Sequence, residues 1–206
     1  MVKVKICGIT SGTDALMAAS AGADAVGFNF WPGSPRYIDP DRALAIRHCL
    51  PPFVATVGLF VDEDVEKVRE VMTCCGLDYA QLHGHEAPAK VARLEDLRVI
   101  KAIRVRDEKD LNQLDTYRVD AFLLDTYVRG QPGGTGRTFD WGLARRASGR
   151  AKIILAGGLT PQNVAGAVEA ARPYAVDVAS GVEAAPGQKS RKLVNDFVRA
   201  AKSIKL

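Results

Sequence analysis

Histidine and cysteine are scarce in this chain: three and four residues among 206. A metal-dependent sugar-phosphate enzyme of the epimerase kind needs several His and Asp ligands at strand ends. Only His83 is placed to be one; His48 and His85 read as surface residues. Four cysteines do not make a disulfide framework in a chain this long. Cys74 and Cys75 are adjacent and Cys49 falls in a helical stretch, so buried thiols are expected. Aromatics are few at 7%, and no basic block is interleaved with them. The net charge of +4 and pI near 8.9 suit anionic small molecules, and nucleic acid is not expected as a partner. No apolar run is long enough to span a bilayer, so no membrane partner is expected. The first strand starts at Val2 and leaves no room for a signal peptide, which implies a reducing cytoplasm. No Pro/Ser linker or composition shift divides the chain, so residues 1–206 are expected to form one domain.

What is present is a rhythm. About eight short Val/Ile/Leu/Ala-rich runs alternate with helix-like stretches, roughly 26 residues per unit. Alternating βα units call for a parallel sheet, and eight of them for a single (βα)8 barrel of the TIM type. The strands read as Val2–Cys7, Asp24–Phe30, Phe53–Phe60, Asp78–His83, Val99–Ile103, Val119–Asp125, Lys152–Ala156 and Tyr174–Ala179. Ser11 with Asp14 three residues on forms a capping-box pattern for the first helix. Helices are also expected at Pro40–Cys49, through the stripe Val65, Val68, Met72 and Cys75, near Asp140, and over about Lys189–Ser203. Thr160 is expected to cap another, with Pro161 at its first position.

Alternation along a strand sends successive side chains to opposite faces. In the first strand Val2, Val4 and Ile6 face the helices, which turns Lys5 and Cys7 into the barrel. Ala121, Leu123 and Asp125 point inward by the same parity, as do Ala175, Asp177 and Ala179. Closure makes the first and last strands neighbours, so Lys5 is expected to pair with Asp177, because a buried charge needs a partner.

The C-terminal strand ends carry the chemistry: Cys7, Asp125, Gly157-Gly158 and Ser180-Gly181. In a (βα)8 barrel these ends converge on one face. Glycine turns let a phosphate approach backbone N–H groups, and the loops after strands seven and eight are the usual cradle. Each turn read singly is equally well a tight βα connection.

These residues also sit in longer strings: KICGIT (Lys5–Thr10), GFNFWPGSPRYI (Gly27–Ile38), QLHG (Gln81–Gly84) and LLD (Leu123–Asp125). PGGTGRTFDW (Pro132–Trp141), LAGGLTPQNV (Leu155–Val164) and VDVASGVE (Val176–Glu183) continue them. Together they resemble the phosphoribosylanthranilate isomerase family of the tryptophan pathway, over essentially the whole chain. The resemblance implies a (βα)8 barrel and an Amadori rearrangement of N-(5-phosphoribosyl)anthranilate, with no metal or organic cofactor. It implies Cys7 as general base, Asp125 as general acid and Arg36 as the partner of the anthranilate carboxylate. Two positions depart from the pattern: Ala179 replaces a common serine and Gly33 a commoner lysine.

The implied chemistry runs against ordinary acidities. A free Asp titrates near about 3.9 and a free Cys near about 8.5, so the acid has to be raised and the thiol partly ionised. Lys5, on the same face as Cys7, favours the thiolate. Some roles stay open at this stage. His83 either lines the pocket beside Gln81 or is a satisfied structural histidine; Asp177 reads as structural before catalytic. The loop around Gly134, Pro132–Gly136, is either a lid over the ligand or a plain long loop. Competing functions are the isomerisation of an imidazole-precursor aminosugar, which calls for a carboxylate where Cys7 stands, and phosphosugar binding without turnover. A barrel of this kind works as a monomer or a homodimer, and the sequence leaves that open.

Overall fold

The computed structural model describes residues 1–125 and 141–205. Its main sheet is a closed barrel of eight parallel strands in sequence order. These are β1 (Lys3–Ile6), β2 (Ala25–Asn29), β3 (Ala55–Phe60), β4 (Tyr79–Leu82), β5 (Val99–Arg104), β6 (Ala121–Asp125), β7 (Ile153–Ala156) and β8 (Ala175–Val178). Pairing of β1 with β8 closes the ring, with Lys5 level with Asp177. The connections carry α1 (Gly12–Ser20), α2 (Pro40–Cys49), α3 (Val65–Cys75), α4 (Pro88–Ala92), α5 (Trp141–Ser148) and α6 (Val164–Ala171). Between β5 and β6 the chain forms a 3-10 helix, Glu108–Asp115. After β8 come a 3-10 turn (Ser180–Val182), a small hairpin of β9 (Glu183–Ala185) and β10 (Gln188–Lys189), and α7 (Arg191–Lys202).

Two apolar layers hold the barrel, as strand alternation requires. The outer layer lies between sheet and helices and includes Val4, Ile6, Phe28, Leu124, Leu155 and Phe197. The inner one fills the barrel with Val57, Ile100, Ala102, Ala121, Leu123, Ile154, Ala156 and Ala175. Half of these are alanine, so the long side chains of Lys5, Asp177 and Gln81 can share the same interior, all of them buried. The Lys5–Asp177 pair expected from parity is present, with Nζ 2.9 Å from Oδ1.

Several local expectations are corrected. Phe53 does not begin β3; it is fully exposed with φ of 70°, a left-handed conformation no strand accommodates. Ser11 does cap α1, accepting from the Asp14 N–H at 3.1 Å. The Asp14 carboxylate, however, accepts from the Lys189 N–H at 3.1 Å and so ties down the terminal hairpin. Thr160 does not cap a helix beginning at Pro161. Its N–H donates to Asn163 Oδ1, and α6 begins only at Val164. Lys189 belongs to β10, and the last helix starts after it, capped by Ser190. Two thiols are buried, Cys7 and Cys75, and two exposed, Cys49 and Cys74. The buried stripe of α3 runs through Val68, Val71, Met72 and Cys75, and Cys74 is off it. Among the described residues no helix is long and apolar enough to cross a membrane.

Candidate active site

The strand ends expected to carry the chemistry do converge. Cys7 follows β1 directly, its N–H continuing the ladder to Val178 O at 2.8 Å. It is 6% exposed. Gly27 on the neighbouring β2 makes the room. A Cβ there would lie 2.9 Å from the Cys7 sulfur and 3.0 Å from Lys5 Nζ. Lys5 interacts with both Asp177 and the Cys7 thiol; burial disfavours its ammonium, but these two partners outweigh burial and hold its pKa above the ordinary lysine value.

On the other side of Cys7 stands a cluster that sequence reasoning missed. Arg36, from the loop after β2, forks onto Glu183, with Nε to Oε1 at 2.8 Å and Nη2 to Oε2 at 2.6 Å. Lys189 reaches the same carboxylate, Nζ to Oε1 at 2.8 Å, and Ala179 O at 3.2 Å. Gly8, with φ of 73°, opens the space for Arg36, whose Cδ would lie 2.5 Å from a Cβ at that position. Burial pushes the Glu183 carboxyl up, but hydrogen bonds from Arg36 and Lys189 win and hold it below the usual carboxylate range. Two cations share one carboxylate here, and the more buried one yields. Burial, reinforced by the nearby Arg36 charge, outweighs Glu183 and lowers the pKa of Lys189. Arg36 is raised by its Glu183 hydrogen bonds. Around Cys7 there are thus three basic side chains (Lys5, Arg36, Lys189) against two carboxylates (Asp177, Glu183). Nothing in the spacing of residues 36, 183 and 189 foretells this cluster; the β9–β10 hairpin assembles it.

Asp125 ends β6 with its side chain 22% exposed, and His83 Nε2 lies 3.3 Å from its Oδ2. His83, just past β4, is therefore in contact with the candidate acid, and Gln81 Nε2 is 3.0 Å from its Nδ1.

The two glycine turns adjoin. Gly157 and Gly158 have φ of 81° and 65°, left-handed values that favour glycine. Asn163 braces the turn, donating to Gly158 O at 3.0 Å. Gly181 is glycine for a different reason: a methyl there would collide with the carbonyl of Leu159, one residue past Gly158. Ser180 and Gly158 are exposed beside this junction. Gly134 and the loop expected to cover the site lie outside the described residues. Among the described residues there is no group of three or more His, Cys, Asp or Glu poised to hold a metal ion.

Comparison with known proteins decides the family. Residues 4–200 match the family model for N-(5'phosphoribosyl)anthranilate (PRA) isomerase. The chain belongs to that family. A relative from Pelobacter propionicus, named N-(5'-phosphoribosyl)anthranilate isomerase, is 52% identical over 202 residues, covering 98% of this chain and 96% of its own. A solved phosphoribosyl anthranilate isomerase, in complex with reduced 1-(o-carboxyphenylamino)-1-deoxyribulose 5-phosphate, superposes with a TM-score of 0.89. It is 44% identical and the match covers 99% of this chain and all of that one. A structure of monomers generated from the dimeric Thermotoga maritima enzyme gives a TM-score of 0.88 at 42% identity, again covering 99% and 100%. Family membership and the eight-stranded barrel thus agree with the resemblance carried by the motifs, Lys5–Thr10 and Leu155–Val164 among them.

Proposed function

We propose that this barrel converts N-(5'-phosphoribosyl)anthranilate to 1-(2-carboxyphenylamino)-1-deoxyribulose 5-phosphate, the isomerase step of tryptophan biosynthesis, with Cys7 as base and Asp125 as acid. The carrying observation is the placement of a thiol and a carboxyl at the ends of β1 and β6, on one face of a barrel of this family. Asp125 gives a proton to the furanose ring oxygen; the ring C–O bond breaks and the aniline nitrogen lone pair forms an iminium. The Cys7 thiolate takes the proton from the adjacent sugar carbon, and its electron pair neutralises the iminium as an enamine-enol. Proton transfer from the enol oxygen to the former aldose carbon then gives the ketose. No electrons leave the substrate, so the rearrangement calls for no redox partner. The three basic side chains around Cys7 provide the field an anionic sulfur calls for.

Arg36 takes the anthranilate carboxylate in this reading. Glu183 holds its Nε and Nη2, which orients the guanidinium and leaves the Nη1 side for the ligand. Backbone groups of Gly157, Gly158, Ser180 and Gly181 take the phosphate at the junction of the two turns. Asp177 serves Lys5 rather than the substrate, and its burial supports that. The substrate itself is the small-molecule partner.

The test is turnover of phosphoribosylanthranilate generated in situ, followed in EDTA by loss of its fluorescence. Cys7→Ser and Asp125→Asn should each lower kcat by about 10²–10⁴. Turnover that survives either change refutes that residue's role, and none in the folded wild type moves the reading to the imidazole-pathway aminosugar.

A homodimer is the proposed assembly. Phe53 stands fully exposed at the other end of the barrel, beside a cavity of about 240 Å³ that it lines with Tyr79, Arg98 and Tyr174. Sedimentation of the wild type against Phe53→Asp checks it; a monomer in both refutes it.

A further inference from the structure

Strand β4 sends polar side chains into a largely apolar interior whose other buried polar pair is Lys5–Asp177. Tyr79, Gln81 and His83 share its inward face, and Gln81 is completely buried. Its Nε2 lies 3.0 Å from His83 Nδ1, and His83 Nε2 lies 3.3 Å from Asp125 Oδ2. Gln81 Oε1 is a buried atom with no hydrogen-bond partner among the described residues. Burying an amide with an orphaned acceptor is costly, and a leucine would fill the position without that penalty. The reason for glutamine lies at its other end.

An amide NH2 only donates. Facing Nδ1, it requires a lone pair there, which puts the imidazole proton on Nε2. That proton points at Asp125. A second proton on the ring would set N–H against N–H at Gln81, and the amide would have to turn over and leave its NH2 without an acceptor. The distinction matters for an acid. A full positive charge at this distance lowers an Asp pKa by roughly 1–3 units and would lock Asp125 as a carboxylate with no proton to give. A neutral N–H orients the carboxyl and leaves it able to protonate.

We infer that Gln81 and His83 are positioning residues for Asp125: Gln81 keeps His83 neutral, and His83 Nε2–H holds one carboxyl oxygen so that the other meets the substrate. The inference rests on the acid role proposed above for Asp125. Charged groups around this chain come from several strands. Arg104 on β5 is level with Asp125; Lys5 and Asp177 stand on β1 and β8, with Cys7 just past β1. Behind the β4 loop lie Asp62 and the Lys101–Glu86 pair (2.7 Å), with His85 exposed. The Lys101–Glu86 pair also fixes that loop, as Lys101 Nζ donates to Gly84 O at 2.9 Å.

Nitrogen-15 NMR of histidine-labelled wild type tests the tautomer directly, because the chain has only three histidines and His83→Gln identifies the signal. The expected result is a neutral ring bare at Nδ1 and protonated at Nε2. A proton on Nδ1, or on both nitrogens, overturns the inference. Gln81→Glu supplies the second arm. Its carboxylate accepts from Nδ1–H and stabilises the imidazolium, so the limb of kcat/KM that reports Asp125 should move to lower pH by about one unit. The other limb should stay. A lower rate with both limbs in place would make Gln81 merely structural. Should Asp125→Asn retain turnover, the acid assignment falls while the NMR result stands; an inactive Asp125→Asn with the wrong tautomer removes only this inference.

Discussion

Glu183→Gln removes one negative charge and keeps the shape. In the native protein Glu183 accepts two hydrogen bonds from Arg36 and one from Lys189, with its side chain 5% exposed. Breaking a buried ion pair by removing one partner costs about 3–5 kcal/mol. Lys189 softens that loss, because its pKa is already lowered by burial and it can shed its proton. Arg36 cannot, but its side chain is 21% exposed and partly solvated. We therefore expect the lower end, about 3 kcal/mol at pH 7, or a Tm lower by roughly 6–12 °C for a chain of this size. The dependence on pH separates charge from packing. The folded Glu183 carboxyl titrates below its ordinary value. Its stabilisation is fully present above the unfolded pKa, near about 4.3, and is lost as pH falls through the lower folded value. The stability gap between wild type and Glu183→Gln, read from urea unfolding, should thus hold from pH 7 to about pH 5 and close below that. A gap that is the same at pH 3.5 and pH 7 would refute the electrostatic reading. In the folded variant KM should rise more than kcat falls, because Arg36 loses its brace while Cys7 and Asp125 remain.

Three further outcomes follow from the geometry. Gly27→Ala places a methyl 2.9 Å from the Cys7 sulfur and 3.0 Å from Lys5 Nζ; both side chains have to move, so kcat should fall about tenfold or more and unfolding free energy by about 1–3 kcal/mol. Gly181→Ala drives a methyl into the Leu159 carbonyl, so this backbone junction must shift; weaker binding of inorganic phosphate as a competitive inhibitor is the expected readout. Lys5→Met strips Asp177 of its buried partner. It should cost about 3–5 kcal/mol in unfolding free energy and move the limb of kcat/KM that reports Cys7 to higher pH, since Cys7 loses a neighbouring cation. An unmoved limb would separate Lys5 from Cys7 ionisation.

Much of this was legible in residue order because the signals are local or strictly periodic. A period of two put Lys5 and Asp177 on the inward face, and ring closure then made them neighbours. The turns at the ends of β7 and β8, Gly157-Gly158 and Ser180-Gly181, announced themselves by position. The helix starts were less legible where tertiary contacts competed. Asp14 forms half a capping box in sequence, yet its carboxylate serves the Lys189 N–H. Thr160-Pro161 reads as a helix start, yet Asn163 folds back on the turn and delays α6.

Residue order alone therefore determined the barrel, the identity of the strand-end thiol and acid, and the inward charge pair. Each of these depends on alternation along a strand and on closure, which a single chain pattern expresses. Tertiary structure decided the surroundings of those groups. Arg36, Glu183 and Lys189 meet only because a short hairpin after β8 folds over the loop after β2. Gln81, His83 and Asp125 line up only because the barrel sets the ends of β4 and β6, one strand apart, on the same face. Contacts between residues about 40 to 150 positions apart leave no periodic trace in the sequence, and they set which side chains face Glu183, Lys189 and Asp125.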